Sequence, residues 1–405
     1  MSDKAAKILH LNASDSGGAF VFAENLIKGL SACSTYVGHH ALYSGAAQNI
    51  NLFNSPRLHK SFAFGQHAAE KFKLLWHEKD SSVRFKFSMS ESGMPLKALK
   101  ALCEPYDLIH LHWINKGFIR LEDLKALNKP LVWTCHDAWP FTGGCHLPNT
   151  CKQYEQSCGH CPMLKHPNAH DLSAKVFKRK QALYPELNLH LVSPSLFMQS
   201  QIERSSLGKA LPHTCIPNGI DTALFAPDLE RSSERFTIGF VAANLNDPNK
   251  ALRRLIEALS YLPADFDYQL LLVGQQKQAF DFSLPEHCEI IQNANSKTAM
   301  INTYQRMDAL VCSSSIETYP TTLMEGFSCG VMGFGFEVGG VPEILNAMQT
   351  KAIAAFDTKA MAAALLDYAN SKCNKMALHE KARTVFDAQI TARAYSKIYD
   401  QLLNH

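Results

Sequence analysis

Short apolar runs recur along the chain, and each is followed by a turn rich in Gly, Ser, Asn or Asp and then by apolar residues at helical spacing. The first run, Ile8–Leu11, precedes such a turn. Beyond it, Phe22, Leu26 and Leu30 recur at intervals of four residues, which predicts a helix with one apolar face. This alternation is typical of a parallel sheet with crossover helices. The later strand candidates of the same series are 108–112, 131–135 and 189–193.

A second series of the same kind follows Pro212. Its strand candidates are 236–241, 270–273, 309–312 and 331–334. We therefore predict an α/β protein with two Rossmann-like doubly wound domains that face each other across a cleft, where such sheets bind ligands. The predicted domains are 1–208 and 209–389, with a C-terminal helix at about 390–405 that returns to the first.

The composition is that of a globular protein, since 46% of the 405 residues are hydrophobic and 19% are charged. This balance excludes disorder, collagen and coiled coil as the main structure. Forty Lys and Arg against 37 Asp and Glu leave a net charge of +3, which argues against nucleic acid as a partner. No apolar run approaches the ~18 residues that span a bilayer, and Met1–Asn12 does not resemble a signal peptide. We therefore expect a cytoplasmic protein.

The stretch 313–330 places two glutamates around the predicted start of a helix. It follows a buried strand, and the helix is expected to begin at about Thr321. The first N–H groups of a helix, here those of residues 321–323, lack helical partners and can bind an anion. Glu317 lies in the preceding loop and Glu325 in the second helical turn, so both carboxylates can reach one ligand. The pattern alone fits equally well a helix start that binds nothing.

This arrangement of Glu317 and Glu325, followed by Gly339–Glu343, closely resembles the nucleotide-sugar site of glycosyltransferase family 4. Members of that family have the two-domain GT-B fold. The resemblance extends over most of the chain, because further family features occur in the expected order. These features are Gly17 and Gly18 after the first strand, Ile216–Asp221 at the start of the second domain, and Lys250 before a helix.

The resemblance implies a role for each matched residue. Glu325 would bind the ribose hydroxyls of the donor, and Glu317 would lie near the transferred sugar. Lys250 would neutralise the diphosphate, which gains negative charge as the glycosidic bond breaks. Without the family context, a solvated surface residue is the simpler interpretation of Lys250. The full predicted donor-binding set is Gly17, Gly18, Asn244, Lys250, Thr321, Thr322, Leu323 and Glu325.

One position departs from the family pattern. Similar enzymes have an arginine about five or six residues before the lysine as a second phosphate clamp, whereas this chain has Asn244 there. A neutral amide thus replaces a cation that can form paired hydrogen bonds to phosphate. Weaker donor binding, compensation by Arg253 or Arg254, and a different donor are the open alternatives.

His136 follows the predicted strand 131–135 and should lie at the ligand-facing edge of the first sheet. It resembles the histidine that similar enzymes place against the donor sugar, where an imidazole can hydrogen-bond a hydroxyl or a developing oxyanion. We therefore predict His136 and Glu317 as catalytic residues. Trp139 and Phe141 could stack on an acceptor sugar or pack beneath the loop.

Four of the twelve cysteines are clustered, namely Cys145, Cys151, Cys158 and Cys161. In a reducing compartment such clustering favours a metal over disulfides. Four thiolates can close a tetrahedral structural zinc site, which leaves no open position for catalysis, and His146 or His160 could replace one of them. Reduced thiols, disulfides and another metal are the alternatives. The Trp-Pro-Phe-Thr-Gly-Gly-Cys run with its trailing cysteines resembles the family 4 subset that builds bacterial surface polysaccharides, including colanic-acid-type transferases.

The resemblance implies a retaining glycosyltransferase that moves a sugar from a UDP- or GDP-sugar to a growing glycan or lipid-linked acceptor. The expected setting is bacterial exopolysaccharide, capsule or lipopolysaccharide synthesis, without a catalytic metal. A sugar-nucleotide 2-epimerase of the same fold and a non-catalytic glycan-binding relative are the alternatives. Four basic residues on a predicted helix form either a solvated face or a peripheral contact with anionic lipid of the inner membrane. They are Lys175, Lys178, Arg179 and Lys180.

Overall fold

The computed structural model describes residues 5–34, 36–47, 49–80, 86–231, 235–292, 294, 296–371 and 374–404. The chain divides into two compact units. The first unit comprises Met1–Pro217 and Thr391–His405, and the second comprises Asn218–Ile390. Each unit is built on its own parallel sheet.

The strands of the first unit are β1 (Lys7–Ser14), β2 (Val37–Ser44), β3 (Leu108–Leu111), β4 (Leu131–Thr134), β5 (Leu189–Ser193) and β6 (His213–Cys215). They pair in parallel in the order β2-β1-β3-β4-β5-β6. Every residue of β3 and β4 is buried, because crossover segments cover both faces of a parallel sheet. In this register His10 of β1 lies beside His40 of β2 and His110 of β3.

The helices of the first unit include α1 (Gly18–Cys33), α2 (Pro56–Leu75), α3 (Leu96–Cys103), α4 (Leu172–Leu183) and α5 (Leu196–Arg204). Phe22, Leu26 and Leu30 of α1 are buried against the sheet, as their spacing predicts. Short 3-10 helical segments lie at Leu121–Leu127, Trp139–Phe141, Gln153–Glu155, Tyr184–Glu186 and Gly208–Ala210.

The strands of the second unit are β7 (Phe236–Asn244), β8 (Tyr268–Gln275), β9 (Cys288–Ile291), β10 (Ala309–Cys312) and β11 (Met332–Gly335). They form a parallel sheet in the order β11-β10-β7-β8-β9. Side chains of β8 alternate between two apolar clusters, with Leu271 and Val273 in one and Leu270 and Leu272 in the other. The sheet is therefore covered on both faces, as its continuous apolar strands predict.

The helices of the second unit are α6 (Leu252–Leu259), α7 (Lys297–Tyr304), α8 (Thr321–Ser328), α9 (Val341–Ala347), α10 (Thr358–Ala369) and α11 (Lys375–Phe386). Leu323 and Phe327 of α8 are fully buried in the cluster that contains Leu271. This packing fixes the position of the helix start that the sequence analysis singled out.

The chain ends with α12 (Ala388–Leu403), which buries Tyr395 and Tyr399 in the core of the first unit. The predicted domain boundary after residue 208 lies before the observed division after Pro217, because β6 pairs with β5 and extends the first sheet. None of the described helices is both long and apolar enough to cross a membrane.

Candidate functional site

The predicted glycine pair forms the turn between β1 and α1 in the first unit. Gly17 has a φ of +87°, which L side chains rarely adopt, and α1 begins at Gly18 without a side-chain cap. A Cβ atom at either position would meet nothing within 4 Å. The backbone of this turn is therefore open to a close approach by a ligand, and the first N–H groups of α1 favour an anion there.

His136 lies just after β4, at the carboxyl edge of the first sheet. Its Nε2 is 3.1 Å from Nδ1 of His112, and its ring meets the ring of Phe22 at an edge, with 5.2 Å between the centroids. Burial lowers the pKa of His136 to about 4, although the carboxylate of Asp137 acts in the opposite direction. The imidazole is therefore neutral at neutral pH and can hydrogen-bond a sugar without carrying a charge.

Asp137 fixes the loop that follows His136. Its Oδ2 lies 2.7 Å from Nδ1 of His146, and its Oδ1 accepts a hydrogen bond from the backbone of Trp139 at 2.8 Å. Burial raises the pKa of Asp137, but His146 and the backbone bond hold it below its ordinary value. Asp137 is therefore an ionised anchor, and Nε2 of His146 extends the network to the hydroxyl of Ser88 at 2.9 Å.

Trp139 and Phe141 belong to the core, with 1% and 0% of their surface exposed. Of the two predicted alternatives, they therefore pack beneath the loop and offer no stacking surface.

The four basic residues of α4 do not form one exposed basic face, because two of them, Arg179 and Lys180, are engaged within the first unit. Lys180 is fully buried, with Nζ 3.5 Å from the centroid of the Trp139 ring, and Arg179 forms paired hydrogen bonds with Glu122.

The clustered cysteines lie in the loop that follows Trp139. Burial raises the pKa of Cys158 to about 12 and that of Cys161 to about 11, and nearby thiols of the cluster add to both. The N–H of Gly143 donates to Sγ of Cys158 at 3.2 Å, and a Cβ atom at Gly143 would lie 2.8 Å from that sulfur. Glycine is therefore required where the loop passes Cys158. Residues 158–160 all have positive φ, so they form a tight turn between Cys158 and Cys161.

A second cluster, behind His136, was not predicted from the sequence. His10, His110 and His112 are buried, and within the described residues they alone form a group of at least three His, Cys, Asp or Glu side chains with possible ligand atoms within 4.8 Å. The thiols of the cysteine cluster do not meet that distance. The three histidines are held by hydrogen bonds, including a contact of 3.0 Å between Nδ1 of His10 and Nε2 of His112. Of their ring nitrogens, Nε2 of His10 alone lacks a partner in the described part of the chain. We therefore describe them as hydrogen-bonded histidines, whose sequence signal was the alternation His-Leu-His in β3.

His110 ties this cluster to the C-terminal helix. Its Nδ1 lies 2.7 Å from the hydroxyl of Tyr399, and its Nε2 lies 2.8 Å from Oγ1 of Thr134. The same Thr134 hydroxyl is 2.7 Å from the hydroxyl of Tyr395. The imidazole of His110 thus has both nitrogens satisfied in the protein, although its side chain is fully buried.

In the second unit, the loop after β10 ends at Pro320 and α8 begins at Thr321, as the sequence predicts. No side chain caps this helix start. The N–H of Leu323 donates to the carbonyl of Pro320 at 3.2 Å, so Leu323 is a weaker candidate than predicted. Among the described residues the N–H groups of Thr321 and Thr322 stay available, at the end where the helix dipole is positive.

The loop before α8 carries an ion pair between Glu317 and Lys250. Nζ of Lys250 lies 2.6 Å from Oε1 of Glu317, and the Ser314 hydroxyl donates to the same oxygen at 2.6 Å. Burial alone would lower the pKa of Lys250, but the Glu317 carboxylate raises it above its ordinary value. Lys250 is therefore a cation already neutralised, and a phosphate would compete with Glu317 for it.

The Gly339–Gly340 pair holds the backbone of Glu317. The N–H of Gly340 donates to the Glu317 carbonyl at 2.8 Å. A Cβ atom at Gly339, whose φ is +55°, would lie 2.0 Å from that carbonyl oxygen. The glycine pair that follows the two glutamates in the sequence is thus explained by close backbone packing against the loop.

Glu325 is half-buried in the second turn of α8. The Tyr304 hydroxyl donates to its Oε2 at 2.7 Å. Burial raises the pKa of Glu325 to about 7, while Tyr304 and the nearby charge of Lys297 oppose this rise. The carboxyl group therefore changes its charge close to neutral pH.

Asn244 ends β7, and its Oδ1 accepts a hydrogen bond from the backbone two residues later. Arg254 donates to the carbonyl of Ser313 at 3.0 Å, which fastens the loop before α8. Arg253 forms an ion pair with Asp281. Both arginines thus form contacts within the second unit, and compensation by either of them for the arginine that Asn244 replaces stays a prediction.

The structure brings Lys250 and Glu317 into contact and places Thr321, Thr322 and Glu325 on the helix that follows. The candidates divide between the units. The first unit holds Gly17, Gly18, His136, Cys145, Cys151, Cys158 and Cys161, and the second holds Asn244, Lys250, Glu317, Thr321, Thr322, Leu323 and Glu325.

Solved structures show the same architecture. Sucrose-phosphate synthase from Thermosynechococcus elongatus is 16% identical and matches 98% of this chain and 99% of its own, with a TM-score of 0.67. Anabaena HepE, solved in complex with UDP and glucose, is 14% identical and matches 98% of this chain and 100% of its own, with a TM-score of 0.61. These similarities confirm the predicted α/β fold of the GT-B type.

Sequence comparisons address the family. Residues 225–385 match the family model described as glycosyl transferases group 1. A protein of Escherichia coli K12 named as a colanic acid biosynthesis glycosyl transferase, WcaC, is 27% identical over 262 residues, which span 60% of this chain and 61% of that relative. The matched stretch of the family model contains Lys250, Glu317 and Glu325. Residues 225–385 thus resemble a group 1 glycosyl transferase domain, which supports the glycosyltransferase family suspected from the sequence and the prediction of a transferase enzyme.

Proposed function

We propose that the protein is a retaining glycosyltransferase that moves a sugar from a UDP- or GDP-sugar to a hydroxyl of a growing glycan or lipid-linked acceptor, in the synthesis of a bacterial surface polysaccharide. This proposal is carried by the uncapped start of α8, which has Glu325 in its second turn and Lys250 in contact with Glu317 of the preceding loop. Similarity to a colanic acid transferase supports the acceptor class, and similarity to a protein crystallised with UDP and glucose supports the donor class.

The diphosphate of the donor is proposed to bind at the N–H groups of Thr321 and Thr322. When the glycosidic bond breaks, its electron pair leaves with the diphosphate oxygen, so negative charge grows there. Fixed N–H dipoles and the Lys250 ammonium stabilise that charge without a metal. We propose that the phosphate competes with Glu317 for Lys250, and that the Glu317 carboxylate, which also accepts a hydrogen bond from Ser314, contacts the transferred sugar.

In the first unit, His136 is proposed to contact the donor sugar as a neutral imidazole, because burial keeps its pKa at about 4. The open turn at Gly17 and Gly18 is proposed to approach the donor phosphates, since no atom of the described residues lies within 4 Å of a Cβ atom built at either position. Glu325 is proposed to accept hydrogen bonds from the ribose hydroxyls, for which its ionised form is the stronger acceptor.

Calorimetric titration with UDP and GDP tests the donor site. We expect one nucleotide to bind to the wild-type chain, and Glu325→Ala to weaken that binding at least about tenfold, since a hydrogen bond to a charged group is worth roughly 1.5–3 kcal/mol. Glu380→Ala, an exposed glutamate on α11, is the matched control and should bind as the wild type does. Failure of the wild-type chain to bind either nucleotide would contradict the proposal. An epimerised sugar formed from donor alone would favour the isomerase.

We also propose that Cys145, Cys151, Cys158 and Cys161 hold a structural zinc ion. Four cysteine sulfurs are ligands that zinc prefers, the Gly143 N–H points at Cys158, the turn 158–160 is tight, and the buried Lys180 ammonium donates to the carbonyl of Thr142 in the same loop. In the structure the thiols do not form a group with ligand atoms within 4.8 Å of one another, so zinc binding would draw them closer together. A tetrahedral zinc bound by four thiolates carries two negative charges, which an N–H donor and a buried cation would partly offset. The ion would stiffen the loop that carries Asp137 and His146.

A peripheral contact with the inner membrane is proposed for α2 rather than for α4. Phe64, Phe72 and Trp76, which directly follows the helix, are 72%, 62% and 71% exposed. Exposed Arg57 and Lys60 lie on the same helix, and apolar aromatic residues beside cations suit the surface of an anionic bilayer.

Co-sedimentation with vesicles tests this contact. We expect the chain to bind vesicles that contain phosphatidylglycerol and to bind neutral phosphatidylcholine vesicles less. The double variant Phe64→Ser, Phe72→Ser should lose this binding, whereas Leu229→Ser, which removes an exposed leucine of the second unit, should keep it. Equal binding by wild type and double variant would contradict the assignment of α2.

A further inference from the structure

Three imidazoles form a hydrogen-bonded line that ends at His136. Nε2 of His136 lies 3.1 Å from Nδ1 of His112, and Nε2 of His112 lies 3.0 Å from Nδ1 of His10. His10 and His112 are 0% and 2% exposed, whereas His136 is partly exposed. Among the described residues, Nδ1 of His136 has no protein partner. The line thus runs from the core of the first unit to the carboxyl edge of its sheet.

The inner end of this line is an unpartnered nitrogen. Nε2 of His10 is buried and has no hydrogen-bond partner in the described part of the chain. A Cβ atom added at Gly38 would lie 3.4 Å from it and 3.1 Å from Cγ1 of Ile27, and His40, its partner in the sheet register, also has a buried Nε2 without a partner in the described part of the chain. His40, on the neighbouring strand, has its Nδ1 bound to Glu24 at 2.7 Å.

The direction of the hydrogen bonds follows from that end. A neutral imidazole has one N–H and one lone pair, so three rings joined by two bonds must all donate in the same direction. If they donate toward the core, His10 buries an N–H that lacks an acceptor. If they donate outward, His10 buries only a lone pair. Buried N–H groups without a partner are rarer in proteins than unfilled acceptors, so the outward direction is favoured.

The neighbours of the line favour neutral rings. Burial, together with repulsion from adjacent histidines, holds the pKa values of His10 and His112 well below their ordinary range. His110 stacks on His112 with ring centroids 4.2 Å apart, but its own nitrogens bond to Tyr399 and Thr134, so it does not break the line.

We infer that His10 and His112 are positioning residues that hold His136 as the tautomer protonated at Nδ1, so that His136 presents a hydrogen-bond donor to its ligand. The second half of this inference rests on the proposed function, under which the ligand is the sugar or phosphate of the donor. In that setting His136 recognises an oxygen that accepts a hydrogen bond, either a hydroxyl or an oxygen that gains negative charge as the bond breaks. A histidine of the opposite tautomer would present a lone pair to the same atom.

Long-range ¹H–¹⁵N correlation spectra of the ¹⁵N-histidine-labelled chain test the tautomer without any substrate. The resonances of His136 are identified by their loss in His136→Gln. At about pH 7 we expect the ¹⁵N chemical shift of Nδ1 of His136 to be that of a protonated ring nitrogen, and the shift of its Nε2 to be that of an unprotonated one. A protonated Nε2 with an unprotonated Nδ1 would overturn the inference, whatever the activity.

Two variants of His112 test the positioning role. His112→Phe removes the donor to Nε2 of His136 and should yield a mixture of both tautomers, together with a fall in kcat of about tenfold or more at little change in donor KM. His112→Gln can donate through its amide and should keep the single tautomer and most of kcat. His190→Phe, which removes another sheet histidine with a bond to Thr214, is the control.

The outcomes separate the inference from the proposed function. A single Nδ1–H tautomer of His136 in His112→Phe would refute the positioning role. If His112→Phe does not fold, the wild-type spectrum and the spectrum of His112→Gln still test the positioning role. A His136 protonated at Nε2 in His112→Gln would contradict the expectation that the Gln amide donates to this nitrogen as His112 does. If the wild-type chain binds no nucleotide, the proposed function fails, while the tautomer is judged by the spectrum alone.

Discussion

Replacing Glu325 by Gln should stabilise the second unit at alkaline pH while it weakens donor binding. The carboxyl group lies half-buried in α8, where burial raises its pKa from 4.5 to about 7. Gln has nearly the same shape, carries no charge, and can accept the hydrogen bond that the Tyr304 hydroxyl donates at 2.7 Å. The substitution therefore removes the charge and leaves the packing in place.

The size of the effect follows from the pKa. Below pH 4.5 Glu325 is protonated in both the folded and the unfolded chain, so its ionisation has no effect on stability. Above pH 7 it is ionised in both states, and because its folded pKa is the higher one, ionisation lowers the free energy of unfolding. Each unit of difference between the folded and the unfolded pKa of Glu325 corresponds to ~1.4 kcal/mol. At pH 8 its ionisation therefore lowers the free energy of unfolding by about 3 kcal/mol. At pH 5 the same reasoning gives about 1 kcal/mol.

Thermal unfolding at pH 8 and pH 5 measures this difference. In a unit of this size, 1 kcal/mol shifts Tm by about 2–4 °C, so Glu325→Gln should raise Tm by roughly 6–12 °C at pH 8 and by much less at pH 5. Glu380→Gln, an exposed glutamate on α11, should leave both midpoints unchanged. A rise of equal size at both pH values, or no rise at pH 8, would refute the assignment of burial as the cause.

Donor binding should change in the opposite direction. An ionised carboxylate accepts stronger hydrogen bonds from ribose hydroxyls than an amide does, so Glu325→Gln should bind the donor more weakly at pH 8. In the wild-type chain, donor affinity should fall as the pH drops below about 7 and Glu325 becomes protonated. A gain in stability paired with a loss of affinity is expected of a residue retained for binding.

Three further changes have expected outcomes. Lys250→Met should weaken nucleotide binding by about tenfold or more in calorimetric titration, because the diphosphate loses its cation, and unchanged affinity would exclude a phosphate contact. Elemental analysis of the purified chain should find about one zinc ion, with less in Cys158→Ser, and a zinc-free wild-type chain would contradict the metal proposal. Gly339→Ala should lower stability by roughly 1–3 kcal/mol in thermal unfolding, because its Cβ would overlap the Glu317 carbonyl and its φ is +55°. An unchanged Tm of Gly339→Ala would show that the loop containing Glu317 can shift to accommodate the added methyl group.

The strands that were predicted correctly are those with continuous apolar runs. β3 and β10 are buried at every residue, and burial on both faces produces that run in the sequence. β2 was missed because it is an edge strand whose first half alternates exposed and half-buried residues. α2 was missed for a related reason, since several of its large apolar side chains face outward and blur the helical period.

The candidate site was predictable where its residues are close in sequence. Glu317, Thr321 and Glu325 belong to one short stretch, and the start of α8 lies where that stretch predicts it. Partners that come from distant segments left no such signal. Tyr304 and Glu325 belong to different helices, α7 and α8, and meet only in the folded unit. His10 meets His112 only through the register of β1 and β3.

Under the proposed function, the ion pair between Lys250 and Glu317 would favour ligands that offer a partner to each of the two side chains. An inorganic phosphate that drew Lys250 away would leave the Glu317 carboxylate with its hydrogen bond from Ser314, and would place its negative charge beside a second anion. A nucleotide sugar carries hydroxyls that can donate to the vacated carboxylate oxygen, so both halves of the broken pair find new partners. The resting contact would therefore disfavour a simple anion relative to a nucleotide sugar at this site.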